Sequence, residues 1–224
     1  MLVAAKDEGV KRFIYAASSS TYGDSERLPK EEDKIGSPMS PYAITKYVNE
    51  LYAANFKTLY NLDSIGLRYF NVFGRRQDSN STYAAVIPKF VNKFMAHESP
   101  VINGTGDYSR DFTYIDNVLL MNMLCLTTPN AKALNQIYNT ACGARTSIKD
   151  MTYCIQEYLA EFDKDISSIT ISYGPVRAGD VPHSLASISK AETLLGYKPS
   201  HTFKEGLKEA ISWYWSHLKN DANA

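Results

Sequence analysis

Short apolar runs without polar alternation recur along this chain, and amphipathic stretches separate them. Phe13–Ala17 (FIYAA) and Ser64–Phe70 (SIGLRYF) have the apolar density expected of strands covered on both faces. Ser18–Ser40 between them is polar, carries Pro29, Gly36 and Pro38, and reads as loop. Ser40 then offers an N-cap and Pro41 a first helical residue. The twenty residues that follow contain neither Gly nor Pro and form the strongest helical signal in the chain.

The same reading predicts a helix over Leu2–Glu8, stopped by Gly9, and a loop over Asn71–Thr82. A helix over Tyr83–Ala96 and a short strand over Pro100–Asn103 come next, then a glycine-containing turn region over Gly104–Arg110. Asp116 caps a helix to about Leu126, and Gln136–Thr140 is a strand. Ser147 with Asp150, and Thr202 with Glu205, form capping patterns before two more helices. The later of these holds Trp213 and Trp215, and a strand over Ile169–Tyr173 lies between them. Strands alternating with helices predict an α/β fold with parallel pairing.

Composition narrows the function classes. The 224 residues hold 24 Lys+Arg against 24 Asp+Glu, an ordinary globular balance that excludes a low-complexity or disordered chain. Zero net charge gives no electrostatic reason to expect nucleic acid. The longest apolar stretch, Asn117–Leu126, is broken by Asn122 and is too short to span a bilayer. The N-terminus lacks a signal-peptide core, and Cys125, Cys142 and Cys154 have no metal spacing. They read as buried thiols, and the expectation is a soluble cytoplasmic protein. Sixteen tyrosines suit a cleft for polar organic ligands.

The candidate chemistry begins at Tyr42 and Lys46, four apart on one helix face. A phenol titrates near pH 10, and an adjacent ammonium favours its ionised form. With so many tyrosines and lysines, one Tyr-x-x-x-Lys is expected by chance, so the pair alone is an ordinary helix contact. Its surroundings change that reading. Ser18, Ser19 and Ser20 follow one buried strand directly, Asn71 follows the next, and the Tyr–Lys helix lies between them. Ligands of open parallel sheets bind beyond the carboxyl ends of strands, so these residues form a convergent polar site.

In this order the residues resemble the extended short-chain dehydrogenase/reductase family. The resemblance is carried by FIYAASSSTYG (13–23), SPYAITKYVNE (40–50), GLRYFNVFGRRQ (66–77), GTGDYSRDFTYIDN (104–117) and VRAGDVPHSLASISKAETLLGYKP (176–199). Within the family the chain is similar to the UDP-sugar 4-epimerases, above all those acting on N-acetylated UDP-hexoses. The resemblance implies the C-terminal part of a Rossmann-like parallel sheet plus a smaller α/β substrate-binding domain. Residues 1–80 would belong to the first, with 112–142 returning to it. Residues 81–111 and 143–224 would form the second.

It also implies roles. Tyr42 would be the base for the sugar 4-hydroxyl, Lys46 would lower its pKa and hold the nicotinamide ribose of NAD, and Ser18 would bond the same 4-oxygen. Phe70 would lie against the cofactor. Asn71 would hold the sugar or its phosphate, and Ser19 or Ser20 the acetamido group. Ala85 and Val86 would contact the nucleotide, and Val101, Ile102 and Asn103 would lie near uracil. Arg110 and Arg177 would clamp the pyrophosphate, and Asp180 would accept from the uridine ribose. The implied reaction oxidises C4, turns the 4-keto sugar over and reduces it from the other face, so NAD is regenerated.

Two details bear on specificity. Related sugar 4,6-dehydratases place Asp-Glu where this chain has Ser19 and Ser20, and hydroxyls cannot supply that acid–base pair. Ser184 stands where a bulky aromatic would exclude a 2-acetamido group, which favours UDP-GlcNAc/UDP-GalNAc, alongside UDP-Glc/UDP-Gal. The competing readings are a UDP-uronate epimerase or decarboxylase on the same scaffold, and a fragment that binds little. No glycine-rich phosphate loop occurs in the 224 residues. The expectation is therefore an N-terminally truncated form that by itself neither retains NAD nor turns over substrate. The resemblance also implies a homodimer through the Tyr–Lys helix, whose apolar stripe of Tyr47, Leu51, Ala54 and Leu59 suits either a helix–helix interface or burial against its own sheet.

Overall fold

The computed structural model describes residues 1–78, 85–176 and 181–221, with side chains to 218. In chain order the main elements are α1 (Leu2–Asp7), β1 (Phe13–Ser18), α2 (Pro41–Tyr60), β2 (Ser64–Tyr69), β3 (Val72–Phe73), α3 (Val86–Met95), β4 (Val101–Asn103) and β5 (Ser109–Arg110). They continue with β6 (Thr113–Tyr114), α4 (Ile115–Thr127), β7 (Gln136–Thr140), β8 (Thr146–Ser147), α5 (Ile148–Ala160), β9 (Ser172–Gly174), α6 (Ser189–Leu195) and α7 (Phe203–Asp221). They fall into two compact units.

The first unit comprises Met1–Asn71, Asp116–Ala144 and Leu185–Ser200. Its sheet is parallel, in the order β1-β2-β7, with Ser18 opposite Tyr69 and Tyr69 opposite Thr140. The two faces of β2 differ sharply. Ile65 and Leu67 are fully buried against Met121, Cys125, Tyr138, Ala191 and Tyr197, which come from α4, β7 and the α6 segment. On the opposite face Gly66 lies beneath the Tyr15 ring, and a Cβ there would meet the Tyr15 hydroxyl at 2.5 Å. Arg68 is on that same face and 2% exposed, which places a charge where the apolar run SIGLRYF predicts only packing.

α2 forms as its sequence predicts. The Ser40 hydroxyl accepts from the Ala43 N–H at 3.1 Å, and the helix ends on Asn61 in the left-handed region (φ 56°), which asparagine tolerates. β1 pairs on one side among the described residues, and a groove of about 460 Å³ between α1, β1 and α2 is lined by Leu2, Val3, Phe13, Tyr15, Tyr52 and Phe56.

The second unit comprises Val72–Ile115, Arg145–Ser184 and His201–Ala224. Phe73, Val91, Phe94, Ile102, Tyr114, Met151, Ile155, Leu159, Leu207 and Tyr214 make its core. Its ladders are short. β3 pairs β6 and β4 pairs β9 in parallel, while β5 pairs β8 antiparallel, an exception to the expected parallel pairing.

Several boundaries differ from the sequence expectation. The break falls after Asn71 rather than after 80, because Val72–Phe73 pairs with Thr113–Tyr114 inside the second unit. Leu185–Ser200 belongs to the first unit, not the second: Lys30 N–H donates to Leu185 O, Ser187 N–H donates to Lys30 O, and Ala191, Leu195 and Tyr197 join the core under β2 and β7. The strand expected at Ile169–Tyr173 is Ser172–Gly174, since its partner β4 offers only three residues. Cys125 and Cys154 are buried as expected, and burial pushes the Cys125 thiol up to about 12, whereas Cys142 is half-buried. Among the described residues no helix is long and apolar enough to cross a membrane.

Candidate active site

At the carboxyl end of β1, Ser18 is 8% exposed and caps a 3₁₀ turn, Ser19–Tyr22. Its hydroxyl oxygen accepts from the Ser20 N–H at 3.2 Å and from the Ser20 hydroxyl at 2.9 Å. Ser19 and Ser20 are half-buried beside it. Because Ser18 pairs with Tyr69, Phe70 and Asn71 leave β2 at the same level. Asn71 turns with φ 34°.

Tyr42 lies in the first turn of α2 and is 57% exposed, so its phenol is open to a ligand. Lys46, one turn on, sends its ammonium to the Ala16 carbonyl at 3.0 Å and lies 5.8 Å from the centre of the Tyr42 ring. An ammonium has three donors, so the contact with Ala16 leaves two that a ribose hydroxyl could accept from. Base, cation and strand-end hydroxyl are thus all supplied by one compact unit.

Phe70 is fully buried, 5.9 Å from the Tyr22 ring, with Ala141 and Ala186 around it. A part for it at the cofactor falls on its backbone or on a rearranged ring.

In the second unit Ala85 precedes α3 in extended conformation, with Val86 half-buried after it. Val101 and Asn103 are exposed on β4, whereas Ile102 between them is in the core and offers only its backbone outward. Arg110 donates to Ser109 O at 3.0 Å and Pro182 O at 3.2 Å. The half-buried Ser184 donates its N–H to Ser109 O at 3.0 Å, so Arg110 and Ser184 share one neighbourhood. Arg177 and Asp180 lie outside the described residues.

Two features escaped the sequence reading. The Ser109 hydroxyl and His183 Nδ1 are 2.9 Å apart, a contact 74 residues long in sequence. Arg68 and Glu50 form a bidentate ion pair inside the first unit, Nε to Oε1 at 2.9 Å and NH2 to Oε2 at 2.8 Å. The signal for the second was present: an arginine within an apolar strand, and a glutamate four residues after Lys46 on the helix face that also carries Ala43 and Ala53.

With that geometry in place, comparison with known proteins decides the lineage. Residues 1–141 match the NAD dependent epimerase/dehydratase family. The chain belongs to this family. A putative UDP-glucose 4-epimerase of Methanocaldococcus jannaschii is 34% identical over 205 residues, covering 91% of this chain and 63% of the relative. A UDP-N-acetylglucosamine 4-epimerase from Methanobrevibacter ruminantium, solved with UDP-N-acetylmuramic acid, superposes with a TM-score of 0.87 at 40% identity, covering 96% of this chain and 66% of that one. A UDP-glucuronic acid 4-epimerase from Bacillus cereus, solved with UDP-glucuronic acid and NAD, gives 0.82 at 26% identity, covering 96% and 65%. The chain therefore spans less than two thirds of the length of these relatives.

Proposed function

We propose that this chain carries the catalytic and sugar-nucleotide-binding part of an NAD-dependent 4-epimerase that interconverts UDP-GlcNAc and UDP-GalNAc, and also accepts UDP-Glc/UDP-Gal. One observation carries the reading: Lys46 is tied to the Ala16 carbonyl within β1, with Tyr42 one turn before it and the strand's last residue, Ser18, two residues beyond that carbonyl. A base, a cation to stabilise its phenolate and a hydroxyl partner are what deprotonation of a secondary alcohol needs.

NAD, when bound, supplies the acceptor for the C4 hydride and its return. The residues present fit the nicotinamide end of that cofactor, through the remaining donors of Lys46. Its pyrophosphate calls for a glycine-rich strand–turn–helix, which the 224 residues do not contain. Tyr42 takes the proton of the 4-hydroxyl and gives it back at the end of the cycle. Lys46 holds the phenolate charge meanwhile, and Ser18 steadies the 4-oxygen. Arg110, with Arg177, neutralises the pyrophosphate so that the sugar can turn about a fixed anchor.

The acetamido preference is supported by Ser184 and by the 40% identity to a UDP-N-acetylglucosamine 4-epimerase. The UDP-glucuronic acid 4-epimerase among the structural relatives supports a competing reading, in which the substrate is instead a UDP-uronate with its extra carboxylate at C6.

The chain, joined to the glycine-rich half of a relative and given NAD, is expected to form UDP-GalNAc from UDP-GlcNAc, read by chromatography. UDP-glucuronate should remain unchanged beside it. Conversion of the uronate alone would replace the substrate, and no conversion of any UDP-hexose would sink the epimerase reading. The 224 residues by themselves are expected to bind no NAD.

The partner proposed is a second copy of the chain. α2 exposes Ile44, Val48, Leu51, Tyr52 and Leu59, a stripe at helical spacing that a monomer seldom leaves in water. Light scattering should give twice the monomer mass, and Leu51→Glu should return it to the monomer value.

A further inference from the structure

α2 carries the proposed base, yet little apolar packing holds it in place. Of its twenty residues only Ala43, Glu50 and Ala53 are buried, and one of these is charged. The sheet beneath offers few knobs as well: the α2-facing side of β2 presents Gly66 and Arg68, and the Tyr15 ring of β1 fills the space over Gly66. Helices normally take their axial setting from interlocking side chains. Two alanines and one ring provide few interlocking side chains, which leaves the axial setting of α2 to a contact of more defined geometry.

The Arg68–Glu50 fork is built for this. Both side chains are buried, at 2% and 3% exposure, and a planar guanidinium meeting a carboxylate through two parallel bonds allows one relative placement. Arg68 is itself fixed from three further directions. Its NH1 donates to Glu32 O at 2.9 Å, its guanidinium carbon lies 4.8 Å over the Tyr22 ring, and it is anchored in the middle strand of the sheet. Tyr22 in turn donates to Asn139 Oδ1 at 2.6 Å, and Asn139 donates to Lys30 O at 2.9 Å and Ser187 O at 3.0 Å. Burial pushes the Tyr22 phenol up to about 12, so it remains a donor across the working range. Burial opposes the Arg68 charge too, but its hydrogen bonds to Glu50 outweigh that and raise its pKa.

We propose that Arg68 and Glu50 are positioning residues that set the axial register of α2 and thereby bring Lys46, one turn from Glu50, onto the Ala16 carbonyl. That the register matters for turnover rests on the reading of Tyr42 and Lys46 given above; the register itself does not. A buried ion pair adds little net stability over apolar groups of similar size, so specificity of placement is the function left for it.

The test separates placement from stability. Glu50→Leu combined with Arg68→Leu removes both charges together, and the double variant is expected to keep the native circular dichroism. Its crystal structure should lack the Lys46 Nζ–Ala16 O hydrogen bond, and acetylation of Lys46 by limiting acetic anhydride, read by mass spectrometry, should rise several-fold. A folded double variant that retains the bond and labels Lys46 at the native rate overturns the proposal. Should the double variant not fold, Glu50→Gln keeps the shape and one acceptor while losing the charge. It should raise Lys46 labelling to a lesser degree, and native labelling there overturns the proposal equally. Neither measurement needs turnover, so a failed epimerase assay leaves both readable.

Discussion

Tyr42→Phe is expected to lower turnover of the NAD-loaded enzyme by roughly two to four orders of magnitude, the range general acid–base catalysis supplies. The change removes one oxygen and leaves the ring. Because Tyr42 is 57% exposed, its hydroxyl supports no buried network, and the melting temperature should stay within experimental error. Lys46 keeps its hydrogen bond to Ala16, which does not involve the phenol. The loss should fall on kcat with KM little changed, since the proton is transferred only in the chemical step. Native turnover in this variant, with NAD bound, would remove Tyr42 from the mechanism.

The opposite profile is expected about two turns further along the same helix. Glu50→Ala leaves the Arg68 guanidinium at 2% exposure with no counter-charge, and breaking a buried pair from one side costs about 3–5 kcal/mol. For a chain of this size that lowers Tm by roughly 6–20 °C. Differential scanning calorimetry reads it directly, and a shift within error would mean that water or the backbone replaces the carboxylate. Removing both partners for leucines should recover most of the loss, because no uncompensated charge remains. The two variants are thus expected to separate, Tyr42→Phe in rate with little change in stability and Glu50→Ala in stability.

Local signals made much of the first unit legible. An apolar run, a serine N-cap followed by proline, and a stretch free of Gly and Pro each act over a few residues, so β1, α2 and β2 lie where they are expected within a residue or so. The Tyr–Lys spacing is equally local, and Lys46 does reach β1, at the Ala16 carbonyl. Ser147 and Thr202 likewise cap their helices through Asp150 N–H and Glu205 N–H.

What the amino-acid order alone determined is therefore the identity of the elements around Tyr42 and the order in which they occur. The tertiary structure decided which of them meet. Two-residue strands such as β3, β5, β6 and β8 have no periodicity to read and exist only because a partner lies opposite. Leu185–Ser200 joins the first unit through backbone bonds to Lys30, some 155 residues earlier in the chain. Arg68 and Glu50 stand 18 residues apart, and nothing in their immediate neighbours marks them as a pair. Helix and strand propensity are set by nearest neighbours, whereas the desolvation of a charge and the partner that compensates it depend on the whole packed chain.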